Sequence, residues 1–167
     1  MATKDNKHIT AKNRSKIYKA TKIKSSVSAF SIPKGKNKIQ EREKIIENYI
    51  RKIKGSIYCP ALNADVAITR TGRNETIFRA SGKYKSTIAA LTLEDALTNA
   101  DWIKSIPKKR NVKAQKIYKK LHLLAVIIRG VGIAKILVGE VDLEKYNSEK
   151  DRFKHYCITQ VSIRDIK

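Results

Sequence analysis

Lys119-Lys-Leu-His-Leu-Leu-Ala-Val-Ile-Ile-Arg-Gly-Val-Gly-Ile-Ala-Lys-Ile-Leu-Val-Gly-Glu-Val141 is the most apolar stretch of an otherwise very basic chain, and β-branched residues dominate it. Arg129-Gly130-Val131-Gly132 interrupts it in the middle, where two glycines can supply the positive φ angles of a tight turn. The stretch predicts the central hairpin of an antiparallel sheet. Every other segment either packs against that hairpin or trails away from it.

Upstream, residues 39–54 change to a helical period. Ile39, Ile45, Ile46, Tyr49, Ile50 and Ile53 fall on one stripe, with Gln40-Glu-Arg-Glu-Lys44 and Glu47 opposite, and Gly55 stands as a C-cap. Such a stripe needs a sheet to cover. Ser56 to Cys59 reads as a short strand closed by Pro60. Residues 65–71 alternate, Gly72-Arg73-Asn74 reads as a turn, and residues 75–80 return as a second strand. That strand–turn–strand would gather Arg70, Thr71, Arg73, Asn74, Thr76 and Arg79 in a small volume. Ser81-Gly-Lys-Tyr-Lys85 is a basic connection. Thr92-Leu-Glu-Asp95 has the form of an N-cap followed by first-turn acids, and Leu93, Ala96, Leu97, Ala100 and Ile103 extend a helix over residues 93–104, after a helical turn at 86–91. Beyond the hairpin, residues 142–151 form an acidic loop and residues 152–166 a last strand. Its alternation puts Phe153, His155, Cys157, Thr159, Val161 and Ile163 on one face.

The expected architecture is therefore α+β: a four- to five-stranded antiparallel sheet with one or two amphipathic helices on one face. Residues 39–167 would form a single domain. Residues 1–38 carry Lys4, Lys7, Lys12, Arg14, Lys16, Lys19, Lys22, Lys24, Lys34, Lys36 and Lys38 against the single acid Asp5. They bury too little apolar surface to offset ordering entropy, so they read as a basic, mostly disordered arm or linker. Ile17, Tyr18, Ile23, Val27, Phe30 and Ile32 are its candidates for local docking.

Across 167 residues the formal charge is +22, more than solubility requires, which points to a polyanionic partner such as nucleic acid. Between Asp101 and Glu140 there is not one acid, while Lys104, Lys108, Lys109, Arg110, Lys113, Lys116, Lys119, Lys120, Arg129 and Lys135 lie there. Of these, Lys108, Lys109, Arg110, Lys113, Lys116, Lys119, Lys120 and Arg129, with Arg70, Arg79, Lys83 and Lys85, are the candidate nucleic-acid ligands, RNA favoured over DNA. Tyr84 and Tyr118, flanked by lysines, are candidates for stacking on bases.

Several chemistries lack their residues. There is no Gly-rich phosphate loop, no His/Glu metal spacing and no Gly-x-Ser-x-Gly elbow, and the acids do not cluster as a two-metal nuclease needs. No cofactor or metal is expected. Cys59 and Cys157 are too few for a disulfide scaffold or a four-cysteine zinc site, and read as reduced, semi-buried strand residues. No secretory or membrane-spanning pattern is visible, so the expectation is a soluble, cytoplasmic protein without a membrane partner.

Metal-free RNA cleavage needs a base for the 2′-hydroxyl, a donor for the leaving oxygen and cations for the phosphorane. His122, His155, Tyr156, Arg73 and Thr159 are the candidate catalytic set, with Arg70, Arg79 and Lys119 as supporting cations. A histidine on a strand with apolar neighbours is more often a satisfied, half-buried structural residue.

The order of segments adds a resemblance. Thr69-Arg-Thr-Gly-Arg-Asn-Glu-Thr-Ile-Phe78, Leu91-Thr-Leu-Glu-Asp-Ala-Leu97, the hairpin from Lys120 onward and Lys154-His-Tyr-Cys-Ile158 together resemble the barnase–EndoU–colicin–RelE nuclease group. The similarity is greatest to its phage and mobile-element domains within large polyvalent proteins, over about residues 40–166. The resemblance implies helices followed by a curved four-stranded antiparallel sheet, with metal-free RNA cleavage on the sheet face of active members. It matches Arg73 and Asn74 to a basic turn, His122 to the polar opening of the central strand, and His155-Tyr156 to the aromatic start of the last. Two readings follow: an RNase-like effector or toxin of a mobile element, with an immunity or antitoxin protein as candidate partner, or a non-catalytic nucleic-acid-binding or packaging-associated module. Oligomeric state is open in both.

Overall fold

The structure is a computed structural model and describes residues 14–25 and 31–161. Val27, Phe30, the cations before Arg14 and the alternation beyond Val161 lie outside the described residues. In chain order the elements are α1 (Arg14–Tyr18), β1 (Lys22–Ile23), α2 (Ile39–Arg51), β2 (Ser56–Cys59), β3 (Ala64–Ala67), α3 (Arg70–Ala80), α4 (Tyr84–Ala90), α5 (Leu93–Asn99), β4 (Asp101–Ile106), β5 (Tyr118–Ile128), β6 (Gly132–Val141) and β7 (Phe153–Val161). The protein is α+β, and β5–β6 is its central hairpin, paired from Tyr118↔Val141 to Ile128↔Gly132. Gly130 (φ 78°) and Gly132 (φ 135°) take the positive φ angles expected of the turn.

The sheet is larger than expected and is mixed, not antiparallel. Its order is β1-β5-β6-β7-β3-β2, with β4 also on β5. β1 pairs parallel to the far end of β5 and β3 parallel to the start of β7. Helices α2 to α5 bury one face, where Ile46, Ile50, Ala89, Leu93 and Leu97 meet Leu124, Val126, Ile136, Val138 and Ile158. The opposite face carries Leu121, Leu123, Ile133, Leu137, Tyr156 and Val161, and is covered by Ile17 and Ala20 from the N-terminal segment and by Ala114 and Ile117 from the β4–β5 connection. The described part of the arm is thus docked: Ile17 is fully buried, Lys16 Nζ donates to the Ile103 carbonyl at 3.2 Å, and the Thr21 and Ile23 carbonyls accept from Ile127 and Arg129 N–H.

Three local readings are corrected. Residues 70–80 form one helix, not a strand–turn–strand. The Thr69 hydroxyl caps it by accepting from Gly72 N–H, and Glu75 pairs with Arg79 at 3.0 Å one turn on. Its buried stripe, Gly72-Thr76-Ala80, is made of small residues because α3 lies against the edge of β7. A Cβ at Gly72 would come within 2.1 Å of the His155 carbonyl oxygen.

Secondly, the helix expected over residues 93–104 stops at Asn99; Ala100 is extended and Asp101–Ile106 is a strand. Ile103 is a bulge residue between Trp102↔Leu124 and Lys104↔Leu123. The bulge puts Ile103 and Ile106 on the same face, a spacing of three that imitates a helix. Thirdly, the alternation of β7 breaks at Tyr156, the extra residue between Leu137↔Cys157 and Val138↔His155. Phe153 and His155 therefore face the helices, whereas Cys157 and Val161 face the other way, with Thr159 between them in register. Cys59 and Cys157 are fully buried in separate layers, so they are not a pair.

Candidate nucleic-acid interface

The β4–β5 connection is built for display. Ala114 and Ile117 pack on the sheet, Gln115 is buried, and its side-chain oxygen accepts from Lys109 N–H at 2.8 Å. Lys108 Nζ donates to the Lys116 carbonyl at 2.9 Å, which closes the loop on itself. With these anchors, Lys109, Arg110, Lys113 and Lys116 are left exposed over the face of the sheet opposite the helices. An anchored row of cations loses less entropy on meeting phosphates than a free tail does.

Beneath the connection, Arg79, Pro107, Lys109, Gln115, Leu121, Leu137 and Tyr156 line a recess of about 30 Å³. The Arg79 guanidinium lies 5.6 Å from the Tyr156 ring, and Tyr118 meets the same ring edge-on at 6.2 Å. Burial pushes the Tyr156 phenol up, with Gln115 pulling the other way. Among the described residues the buried hydroxyl makes no hydrogen bond that meets the geometric criteria. Gln115 carries no signal in the sequence that separates it from the lysines around it.

The candidate catalytic residues are not brought together. His155 is fully enclosed between β7 and α3; its Nε2 lies 3.0 Å from the Thr76 hydroxyl, and Nδ1 has no partner among the described residues. Burial lowers its pKa to about 3. His122 faces the helix side as well, separated from His155 by Val138 on β6, a gap of about 10 Å from strand spacing. Its Nδ1 accepts from Trp102 Nε1–H at 3.0 Å and its Nε2 meets Glu140 at 2.8 Å. Because an indole only donates, the ring is the Nε2–H tautomer and both nitrogens are engaged. Tyr156 is on the opposite face, as is Thr159, whose buried hydroxyl also lacks a partner. Arg73 sits half-buried in the first turns of α3.

The cations divide similarly. Arg79 and Lys109 share the recess. Arg70 lies at the other end of α3, about 14 Å from Arg79 along the axis. Lys83 and Lys85 are exposed around the start of α4, and Arg129 is exposed at the hairpin tip, far from Lys119 and Lys120 at the start of β5. Lys119 is engaged with Glu140 at 2.8 Å, which Arg152 also approaches at 3.7 Å. Burial alone would raise the Glu140 carboxyl, but hydrogen bonds from Lys119 and His122 outweigh it and hold it at about 2. Glu140 was legible as the acid ending the acid-free run; its role as a buried anchor was not.

Among the described residues no cluster of His, Cys, Asp and Glu could hold a metal, and no helix is long and apolar enough to cross a membrane. Residues 37–140, more than half the chain, match the family described as large polyvalent protein-associated domain 3, and the chain belongs to that family. No curated protein and no solved structure matches it. The matched span runs from the start of α2 almost to the end of β6, leaving α1, β1 and β7 outside it.

Proposed function

We propose that this polyvalent-protein domain is a nucleic-acid-binding module that holds phosphates without cleaving them. The observation that carries the reading is the anchored, acid-free β4–β5 connection, which presents Lys109, Arg110, Lys113 and Lys116 on one face of a protein of charge +22. The nuclease alternative needs a general base with an unengaged, reachable nitrogen. His122 has both nitrogens occupied, and His155 is sealed and neutral. The four cations of that connection support the binding reading, and the histidines expected to move protons lie elsewhere.

Binding of a labelled single-stranded RNA, measured in EDTA at several KCl concentrations, tests both. Affinity should fall steeply with salt while the RNA stays intact on a gel. Changing Lys109, Arg110, Lys113 and Lys116 together to Gln should reduce the log–log salt slope by about one for each phosphate that is no longer neutralised. Absent or salt-insensitive binding would sink the reading, and RNA cut in EDTA would reinstate the nuclease.

A further inference from the structure

We propose that the recess bounded by Arg79, Lys109, Gln115 and Tyr156 binds a single phosphate group, carried by a nucleotide or by a nucleic-acid backbone. The inference rests on the nucleic-acid reading only for the source of that phosphate; the site itself stands on its geometry. Tyr156 lines the recess, and its buried hydroxyl has no hydrogen-bond partner among the described residues, so it is a donor in need of an acceptor. Gln115 has its side-chain oxygen committed to Lys109 N–H, which leaves its NH2 as a second donor. The Arg79 guanidinium is bonded to Glu75 through Nε alone; its terminal nitrogens make no hydrogen bond among the described residues. Lys109 adds charge from the rim. Among the described residues no acid lines the recess, and the nearest, Glu75, is held by Arg79 Nε at 3.0 Å.

Size and setting agree with that occupant. The recess is small, about 30 Å³, which suits a phosphoryl head better than a base or a sugar. Leu121 and Leu137 form the floor, and an apolar floor strengthens charge-assisted bonds to a tetrahedral anion. The phosphate would hydrogen-bond to the phenol and the amide, with Arg79 balancing its charge. The β7 bulge leaves Tyr156 and Cys157 on the same face of the sheet, away from the helices. The exposed lysines alone would bind polyanions diffusely. The recess supplies one fixed anchoring point.

The test titrates the full chain with inorganic phosphate, adenosine monophosphate and a single-stranded oligonucleotide, against chloride at matched ionic strength. It follows thermal unfolding and the arginine Nε–H resonances. Phosphate should raise the melting temperature beyond chloride and shift the Arg79 resonance. Tyr156→Phe removes only the hydroxyl, so it should leave the unliganded melting temperature unchanged or slightly raised and weaken phosphate about tenfold or more. Arg79→Gln should weaken it similarly. Phosphate that competes with the oligonucleotide identifies backbone phosphate as the source; phosphate or nucleotide binding without competition identifies a free phosphate or nucleotide. If phosphate does no more than chloride, or both variants bind it like the wild type, the recess holds only water and the proposal is overturned. In that case oligonucleotide binding can persist through the lysines. Loss of oligonucleotide binding with the phosphate titration intact would instead remove the nucleic-acid reading and leave this one.

Discussion

Polar groups buried on the helix side of the sheet are held by neighbours, whereas two on the opposite side are not. Arg42 is 1% exposed within the helix layer, yet its guanidinium donates to the carbonyls of Ser81, Pro33 and Gly35 at 2.6, 3.0 and 2.8 Å. His155 has Thr76, and His122 has Trp102 and Glu140. The unbonded Nδ1 of His155 is the exception, and it is sealed from solvent. Across the sheet, the hydroxyls of Tyr156 and Thr159 are buried without partners, and Tyr156 opens on a recess under a basic loop. A buried unsatisfied hydroxyl costs about 1–3 kcal/mol. The contrast separates buried polar groups that neighbours hold from two hydroxyls that are not held, and the histidines belong to the first class.

The comparison can be broken by substitution. Gly72→Ala drives a methyl into the His155 carbonyl and should destabilise by more than about 3 kcal/mol in urea unfolding. A small effect would mean that α3 can slide from β7 and that His155 is not sealed. Arg42→Met keeps the bulk but strands three carbonyls, and should cost about 2–3 kcal/mol. Retention of full stability would show that water already serves those carbonyls.

The pH response sharpens the same contrast. His155 protonates at about 3 in the folded state and near 6.5 unfolded, so the unfolded chain binds more protons in between. Stability is therefore complete above pH 6.5 and falls as the pH drops toward 3, by at most about 1.4 kcal/mol per unit. Glu140, held at about 2 against 4.5, adds a loss in the same direction below pH 4.5. His155→Leu should flatten the dependence between pH 6.5 and 4.5; an unchanged slope there would mean that the ring reaches solvent. The smallest effects belong to the unsatisfied side. Tyr156→Phe and Thr159→Val should each change stability by no more than about 0.5–1 kcal/mol, in the stabilising direction, by differential scanning calorimetry. A clear loss would reveal a bond that holds the fold.

How much of this was legible depends on where the period of the chain is kept. The β5–β6 hairpin was readable because its apolar residues run continuously and its glycines sit where positive φ is required. The stripe of α2 gave that helix, although Arg42 was read as solvent-facing and is buried. The basic β4–β5 connection was visible as an acid-free run, and its position over a sheet face was not. Residues 70–80 were misread because their helical stripe is Gly, Thr and Ala, while the large apolar Phe78 is 82% exposed.

The sequence by itself determined the α+β class, the central hairpin, the excess of positive charge and the absence of several catalytic motifs. Tertiary structure alone decided which way the polar residues face. Bulges at Ile103, Lys119 and Tyr156 each insert one residue into a ladder and reverse the alternation beyond it. A bulge is set by the fit between paired strands and the layers packed on them, and those partners are distant in the chain. Reading along one strand therefore put His155 and Thr159 on a common face, and the register of β6 against β7 puts them on opposite ones.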